Sequence, residues 1–214
     1  PPPPPPTPSA GEIGHAPCQP FIIPRMNIFH RIYCRSDAWA AAIQKWIMPW
    51  TLKDISLGDD VLEIGPGPGR TTEKLREQAA RLTAIEIDHK LAEALKARMA
   101  GSNVTVVEGD ATKMPFPDAS FSGAVSLTML HHVPSAALQD KLLAETFRVL
   151  RPSAILVGSD STPTFRWRVY HIMDTCVAVD PATFASRLEA AGFVDTHVEK
   201  NEYPTFKFSA RKPA

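Results

Sequence analysis

From residue 57 onward, short apolar runs alternate with amphipathic stretches. The runs Val61–Ile64, Leu82–Ile87, Val104–Glu108, Phe121–Leu127 and Ala154–Gly158 have the length and composition of strands. Helical spacing predicts helices over Arg70–Ala80, His89–Met99, Ala136–Leu150 and Pro181–Ala191, with Leu138, Leu142, Leu143 and Val149 on the apolar face of the third. Two further β-rich pieces follow, Phe193–Lys200 and Thr205–Ala210. The link Asn201–Pro204 is too short for a crossover helix, so these two should form an antiparallel hairpin. The alternation predicts an α/β fold: a doubly wound, mostly parallel, seven-stranded sheet ending in that hairpin.

Upstream, Ser36 or Asp37 caps a helix through AWAAAIQKWIM that should end at Pro49. Residues 1–25 have a different character. Ten of the 25 are proline, six of them consecutive, and such a stretch should stay extended or disordered. It could serve as a ligand for an SH3-like groove, although a passive tail is the plainer reading. Met26 is a candidate start of translation.

Composition narrows the function classes. The 23 basic and 23 acidic side chains cancel, so no long-range attraction draws a polyanion, and nucleic acid is disfavoured as a partner. Cys18, Cys34 and Cys176 are odd in number and far apart. Their spacing suggests reduced thiols of a cytoplasmic protein and no metal-ligand set with the seven histidines. No apolar run is long enough for a membrane span, and no signal-peptide pattern is present.

The segment VLEIGPGPGR, Val61–Arg70, carries the functional signal. Glycines at alternate positions let a ligand approach the backbone at the end of the first strand, and the following helix start offers N–H groups. The ligand edge of such a sheet is the carboxyl end of its strands. The spacing is G-x-G-x-G, whereas a dinucleotide fingerprint needs G-x-G-x-x-G, so a nicotinamide-dependent oxidoreductase is disfavoured. Acidic residues follow each of the first strands in turn: Glu63, then Glu86 in LTAIEID, then Asp110 in VVEGDATKMPFPDASF.

These segments resemble motifs of the class I S-adenosylmethionine-dependent methyltransferases, in the small-molecule, methyltransferase type 11-like branch. The resemblance is strong from Leu57 to Asp160 and weak beyond. It implies S-adenosylmethionine as cofactor and a cofactor set of Glu63, Gly65, Gly67, Gly69, Glu86, Ile87, Asp110, Ala111 and Ser126. Glu86 would accept from the ribose hydroxyls, and Asp110 and Ala111 would meet the adenine edge. Glu63 and Gly65 would lie near the methionine part. It also implies a lid: residues 26–56 would cover the site of a methyltransferase domain over 57–214, with Tyr33 and Trp39 as lid residues and Trp46 in the core. The stretch 164–177 lies where related enzymes insert a substrate cover, and its Arg166, Arg168, Tyr170 and His171 could read an anionic or hydroxylated acceptor. Two positions depart from the family: Ser122 stands where Asp is usual, and Ser153-Ala154 where Gly-Gly is usual.

Displacement at a sulfonium requires alignment of the acceptor and, for a weakly acidic acceptor, a base. His131, just past the fourth strand, is the catalytic candidate, with His132 beside it. The expected acceptor is a small molecule. An RNA adenine dimethylase is the main rival, because its first motif is similar. Those enzymes carry an Asn/Asp-[Leu/Pro]-Pro-Tyr type motif after the fourth strand, where this chain has Ser126-Leu127-Thr128-Met129. A nucleotide-binding module without catalysis also stays open.

Overall fold

A computed structural model describes residues 27–214. The proline-rich tail, Cys18 and Met26 lie outside the described residues, as do the side chains of Arg166 and Tyr170.

Seven strands form one sheet: β1 (Asp60–Ile64), β2 (Arg81–Glu86), β3 (Val104–Glu108), β4 (Phe121–Leu127), β5 (Leu150–Ser161), β6 (Val194–Lys200) and β7 (Thr205–Arg211). Their order is β3-β2-β1-β4-β5-β7-β6. The first five pair in parallel, while β7 runs antiparallel to both β5 and β6. The expected doubly wound sheet and hairpin are both present. Strand order reverses between β1 and β4, which places the ligand crevice above the ends of these two strands.

The helices are α1 (Ile28–Arg35), α2 (Asp37–Ala42), α3 (Met48–Thr51), α4 (Thr72–Leu75), α5 (His89–Arg98), α6 (Ala136–Val149), α7 (Phe165–Tyr170) and α8 (Pro181–Ala190). One apolar layer packs α6 and α8 on the sheet through Leu142, Leu143, Phe184 and Leu188 against Leu62, Ile64, Leu156 and Phe208. On the opposite face, Ile43, Met48 and Leu75 meet Val61, Val125 and Val157. Alternation along β1 therefore sends Leu62 and Ile64 to one layer, and Val61 to the other with Glu63.

Two helical expectations are corrected. The helix after the glycine loop is one turn, Thr72–Leu75, and not Arg70–Ala80. The turns around it mix i−3 and i−4 bonds, such as Lys74 N to Thr71 O and Leu75 N to the same oxygen. The upstream helix does not end at Pro49. A π-helical turn, Ile43–Ile47, joins α2 to α3 and carries the chain through the proline to Thr51. The wider turn removes the carbonyl clash that a proline would meet in a regular α-helix. It also resets the apolar face, because Ile43 and Met48, five apart, are both buried. Trp46, expected in the core, is consequently 72% exposed, while Trp39 packs on the core edge.

Candidate functional site

The glycine loop leaves β1 with Gly65, Gly67 and Gly69 all at positive φ. Their demands differ. A Cβ on Gly65 would lie 2.2 Å from Met129 Cγ, and one on Gly69 would lie 2.3 Å from Leu95 Cδ1. Those two glycines permit packing. A Cβ on Gly67 would meet nothing within 4 Å, so this residue borders open space where a ligand can approach the backbone.

Glu86, at the end of β2, is buried beside this loop. Its Oε2 accepts from Gly67 N at 2.9 Å and its Oε1 from Asp88 N at 2.9 Å. Each oxygen keeps lone-pair capacity for ligand hydroxyls. Burial raises its pKa above the usual carboxylate range, against the backbone N–H groups that lower it. Asp88 caps α5 by accepting from Lys90 N and Leu91 N, which leaves Glu86 as the carboxylate at the loop. Ile87 is half-buried between them.

Glu63 turns beneath the loop. Thr71 Oγ1 donates to its Oε1, and Thr72 Oγ1 donates to its Oε2 at 2.6 Å. Desolvation pushes its pKa up to about 7, with the two hydroxyls opposing the rise. Both of its oxygens are engaged by hydroxyls at the loop exit. At the end of β3, Asp110 closes its own turn, accepting from Thr112 N at 2.8 Å and from Thr112 Oγ1 at 2.9 Å, with Ala111 half-buried between them. Ser126 ends the β4 pairing with β1, opposite Ile64, and its buried Oγ has no partner among the described residues.

On the far side of the crevice, His131 lies in a 3₁₀ turn, Leu130–His132, reached through Thr128 at φ 52°. It is buried, at 3% exposure. Its Nδ1 is 2.5 Å from Oδ1 of Asp160, a fully buried residue near the end of β5. Asp160 Oδ2 also accepts from His131 N at 3.1 Å, so one carboxylate fixes both ring and backbone. With Asp160 as acceptor in this contact, a neutral His131 ring carries its proton on Nδ1 and its lone pair on Nε2. Asp160 had no motif to announce it. The available signal was its place at the carboxyl end of β5, next to the strand carrying His131.

The 164–177 stretch packs on this histidine. Trp167 and His171 meet the His131 ring edge-on, with centroids 5.8 and 5.2 Å away. Val177 N donates to His131 O at 2.8 Å. Cys176 Sγ is 3.6 Å from His132 Nδ1, and burial pushes its thiol up to about 12. Contrary to the spacing argument, Cys176 does meet histidines: His131, His171 and Cys176 bring potential ligand atoms within 4.8 Å of one another. Arg168 is exposed.

The N-terminal helices reach the loop from the other side. Gln44 Nε2 donates to Arg70 O at 3.3 Å, and Arg70 Nη2 donates to Arg35 O at 3.1 Å. Asn27 Nδ2 donates to Ile172 O at 3.0 Å, joining the start of α1 to the 164–177 stretch. The rings of Tyr33 and Trp39 meet at a tilt, with centroids 5.3 Å apart.

The sheet order is that of the class I, S-adenosylmethionine-dependent methyltransferase fold. More narrowly, residues 62–158 match the Methyltransf_11 family model, described as a methyltransferase domain. An S-adenosylmethionine-dependent methyltransferase from Aquifex aeolicus is similar in structure, with TM-score 0.65 and 19% identity, over 80% of this chain and 92% of that one. So is phosphoethanolamine N-methyltransferase 2 of Haemonchus contortus in complex with S-adenosyl-L-methionine, with TM-score 0.66 and 16% identity, over 88% and 61%. At these identities the likeness is one of fold. In sequence, ribosomal RNA small subunit methyltransferase A of Novosphingobium aromaticivorans is 46% identical over 69 residues, 31% of this chain and 24% of that protein. The chain spans a quarter to a third of the length of the curated relatives it matches. No described helix is long and apolar enough to cross a membrane.

The site's own features fit the cofactor. Gly67 leaves a cradle beside the loop, Glu86 offers acceptor capacity there, and Ser126 holds a buried hydroxyl that no described residue engages.

Proposed function

We propose that this chain transfers the methyl group of S-adenosylmethionine to a small-molecule acceptor held at the ends of β4 and β5. The observation that carries the reading is the open side of Gly67 next to the buried carboxylate of Glu86. S-adenosylmethionine, when bound, supplies a methyl group activated by its sulfonium. Glu86 accepts from the ribose hydroxyls, Asp110 and Ala111 meet the adenine edge, and Ile87 flanks it. Gly65, Gly67 and Gly69 shape the loop, Glu63 holds it from below, and Ser126 offers its hydroxyl at the end of β4. His131 Nε2 takes a proton from the acceptor, while Asp160 keeps the ring in that tautomer. The 164–177 stretch and α1 exclude water and enclose the acceptor.

The small-molecule reading draws support from the bonds that tie the 164–177 stretch to His131 and to the start of α1, and from Ser126-Leu127-Thr128-Met129 at the place of the base-holding motif. A second reading, a ribosomal RNA acceptor, is favoured by the local identity to rRNA small subunit methyltransferases A. Calorimetric titration with S-adenosylmethionine and with NAD tests the cofactor half; binding of NAD alone sinks it. Incubation with methyl-labelled cofactor and either hydroxylated metabolites or ribosomal RNA tests the acceptor half. Label entering only RNA reverses the assignment.

A further inference from the structure

The 3₁₀ turn at the end of β4 and the 164–177 stretch together build a cluster with its own chemistry. His131 comes from the sheet edge, whereas His171 and Cys176 come from the cover. The Val177–His131 backbone bond ties the two segments, so the cluster is held by main chain as well as by side chains. One ligand atom from each of His131, His171 and Cys176 lies within 4.8 Å of the others.

Neighbouring groups set the tautomer of both rings. Asp160 Oδ1 accepts a hydrogen bond from His131 Nδ1–H. The carbonyl of Trp167, 2.6 Å from His171 Nδ1, can only accept, so that nitrogen carries the proton as well. Nε2 is then the lone-pair nitrogen of each ring. A carboxylate behind one imidazole and a carbonyl behind the other is the support that metal-ligating histidines receive. Two imidazole nitrogens and one sulfur form a borderline-soft set, suited to zinc and poorly suited to magnesium or calcium.

We propose that His131, His171 and Cys176 bind one divalent ion of the zinc type, which fastens the 164–177 stretch to the end of β4. A tetrahedral ion holds such ligands roughly 3.5 Å apart. Binding therefore draws the three atoms together by about an ångström and leaves a fourth position for water or an acceptor group. As the metal–sulfur bond forms, the S–H bond of Cys176 breaks. The proton passes to His132, whose Nδ1 is 3.6 Å from the sulfur, or to solvent. With the ion bound, His131 Nε2 would be a ligand and no longer a base, and the ion would supply polarisation of the acceptor in its place.

The test is a cobalt titration of the whole chain after chelator treatment. The expected result is one equivalent bound, with a thiolate-to-cobalt charge-transfer band and tetrahedral d–d absorption, both lost on adding zinc. Cys176→Ser removes the charge-transfer band. Asp160→Asn, which touches no metal, weakens binding on the order of ten- to hundredfold. His89→Ala, at an exposed helix start, leaves it unchanged. Circular dichroism on each variant verifies the fold. Absence of a saturable cobalt spectrum, or a charge-transfer band that survives Cys176→Ser, overturns the site. S-adenosylmethionine titrated into the same samples keeps the two readings apart: cofactor binding without cobalt binding removes the metal site alone.

Discussion

His131 and Asp160 are joined twice, by the ring Nδ1 and by the backbone N–H, to the two oxygens of one fully buried carboxylate. His131→Gln keeps a donor toward Asp160 but cannot take a proton. In the metal-free enzyme it is expected to lower kcat by about 10²–10⁴-fold, the contribution of a positioned base, with calorimetric cofactor affinity unchanged. His131→Leu leaves the carboxylate without its imidazole and should cost about 3–5 kcal/mol in denaturant unfolding.

On the proposed reading, Glu86 serves the loop and the ligand with the same two oxygens. Glu86→Ala loses both, so S-adenosylmethionine affinity should fall by about 1–3 kcal/mol in calorimetry. Asp110→Ala should give a loss in the same range and also loosens the turn at Thr112. Unchanged affinity in both variants would show that the carboxylates are misassigned.

Two loop glycines separate ligand space from packing. Gly67→Ala places its Cβ in open space, at a left-handed φ that costs about 1–2 kcal/mol. Its main effect should be on cofactor affinity. Gly69→Ala drives a Cβ into Leu95 and Arg98 and should lower Tm more than Gly67→Ala does. Thermal melts with and without cofactor distinguish the pair.

Glu63 makes stability depend on pH. Its folded pKa, about 7, lies above the ordinary 4.5, so unfolding releases its proton between those values. This contribution is complete below pH 4.5, falls as pH rises toward 7 and then levels, a change on the order of 3 kcal/mol. Glu63→Gln should flatten that part of the profile in urea melts recorded from pH 4.5 to 7.5.

Ser153 occupies φ 63° where the family usually has glycine. Ser153→Gly relieves about 1–2 kcal/mol of left-handed strain, offset by about 0.5–1 kcal/mol of added freedom in the unfolded chain. A net gain is expected in denaturant unfolding. The backbone bonds from Ser153 N to Lys212 O and Pro213 O do not need the side chain.

This serine also illustrates what was legible in the sequence. Its place in a usual glycine pair agrees with the positive φ found there, because that conformation is a local property. Strands β1 to β5 were legible for a similar reason, since apolar runs mark strands, and with them the places of Glu63, Glu86 and Asp110 at or just past strand ends. The outward turn of Trp46 was hidden, since one π turn shifts every later position without altering composition. Asp160 behind His131, and Cys176 beside His171, were hidden more deeply. Their meeting is made by strand pairing and by the Val177–His131 backbone bond, contacts with no period along the chain.

The parallel register that sets Ile64 beside Ser126 has a kinetic consequence. These partners are far apart in sequence, so β1 and β4 can pair only after a long loop has closed, which makes such topologies slow to fold. Until that step Gly67 and Glu86 belong to one half of the crevice, and Ser126, His131 and Asp160 to the other. A ligand spanning both halves binds the completed sheet alone, and each tenfold of ligand concentration above Kd then adds about 1.4 kcal/mol against unfolding.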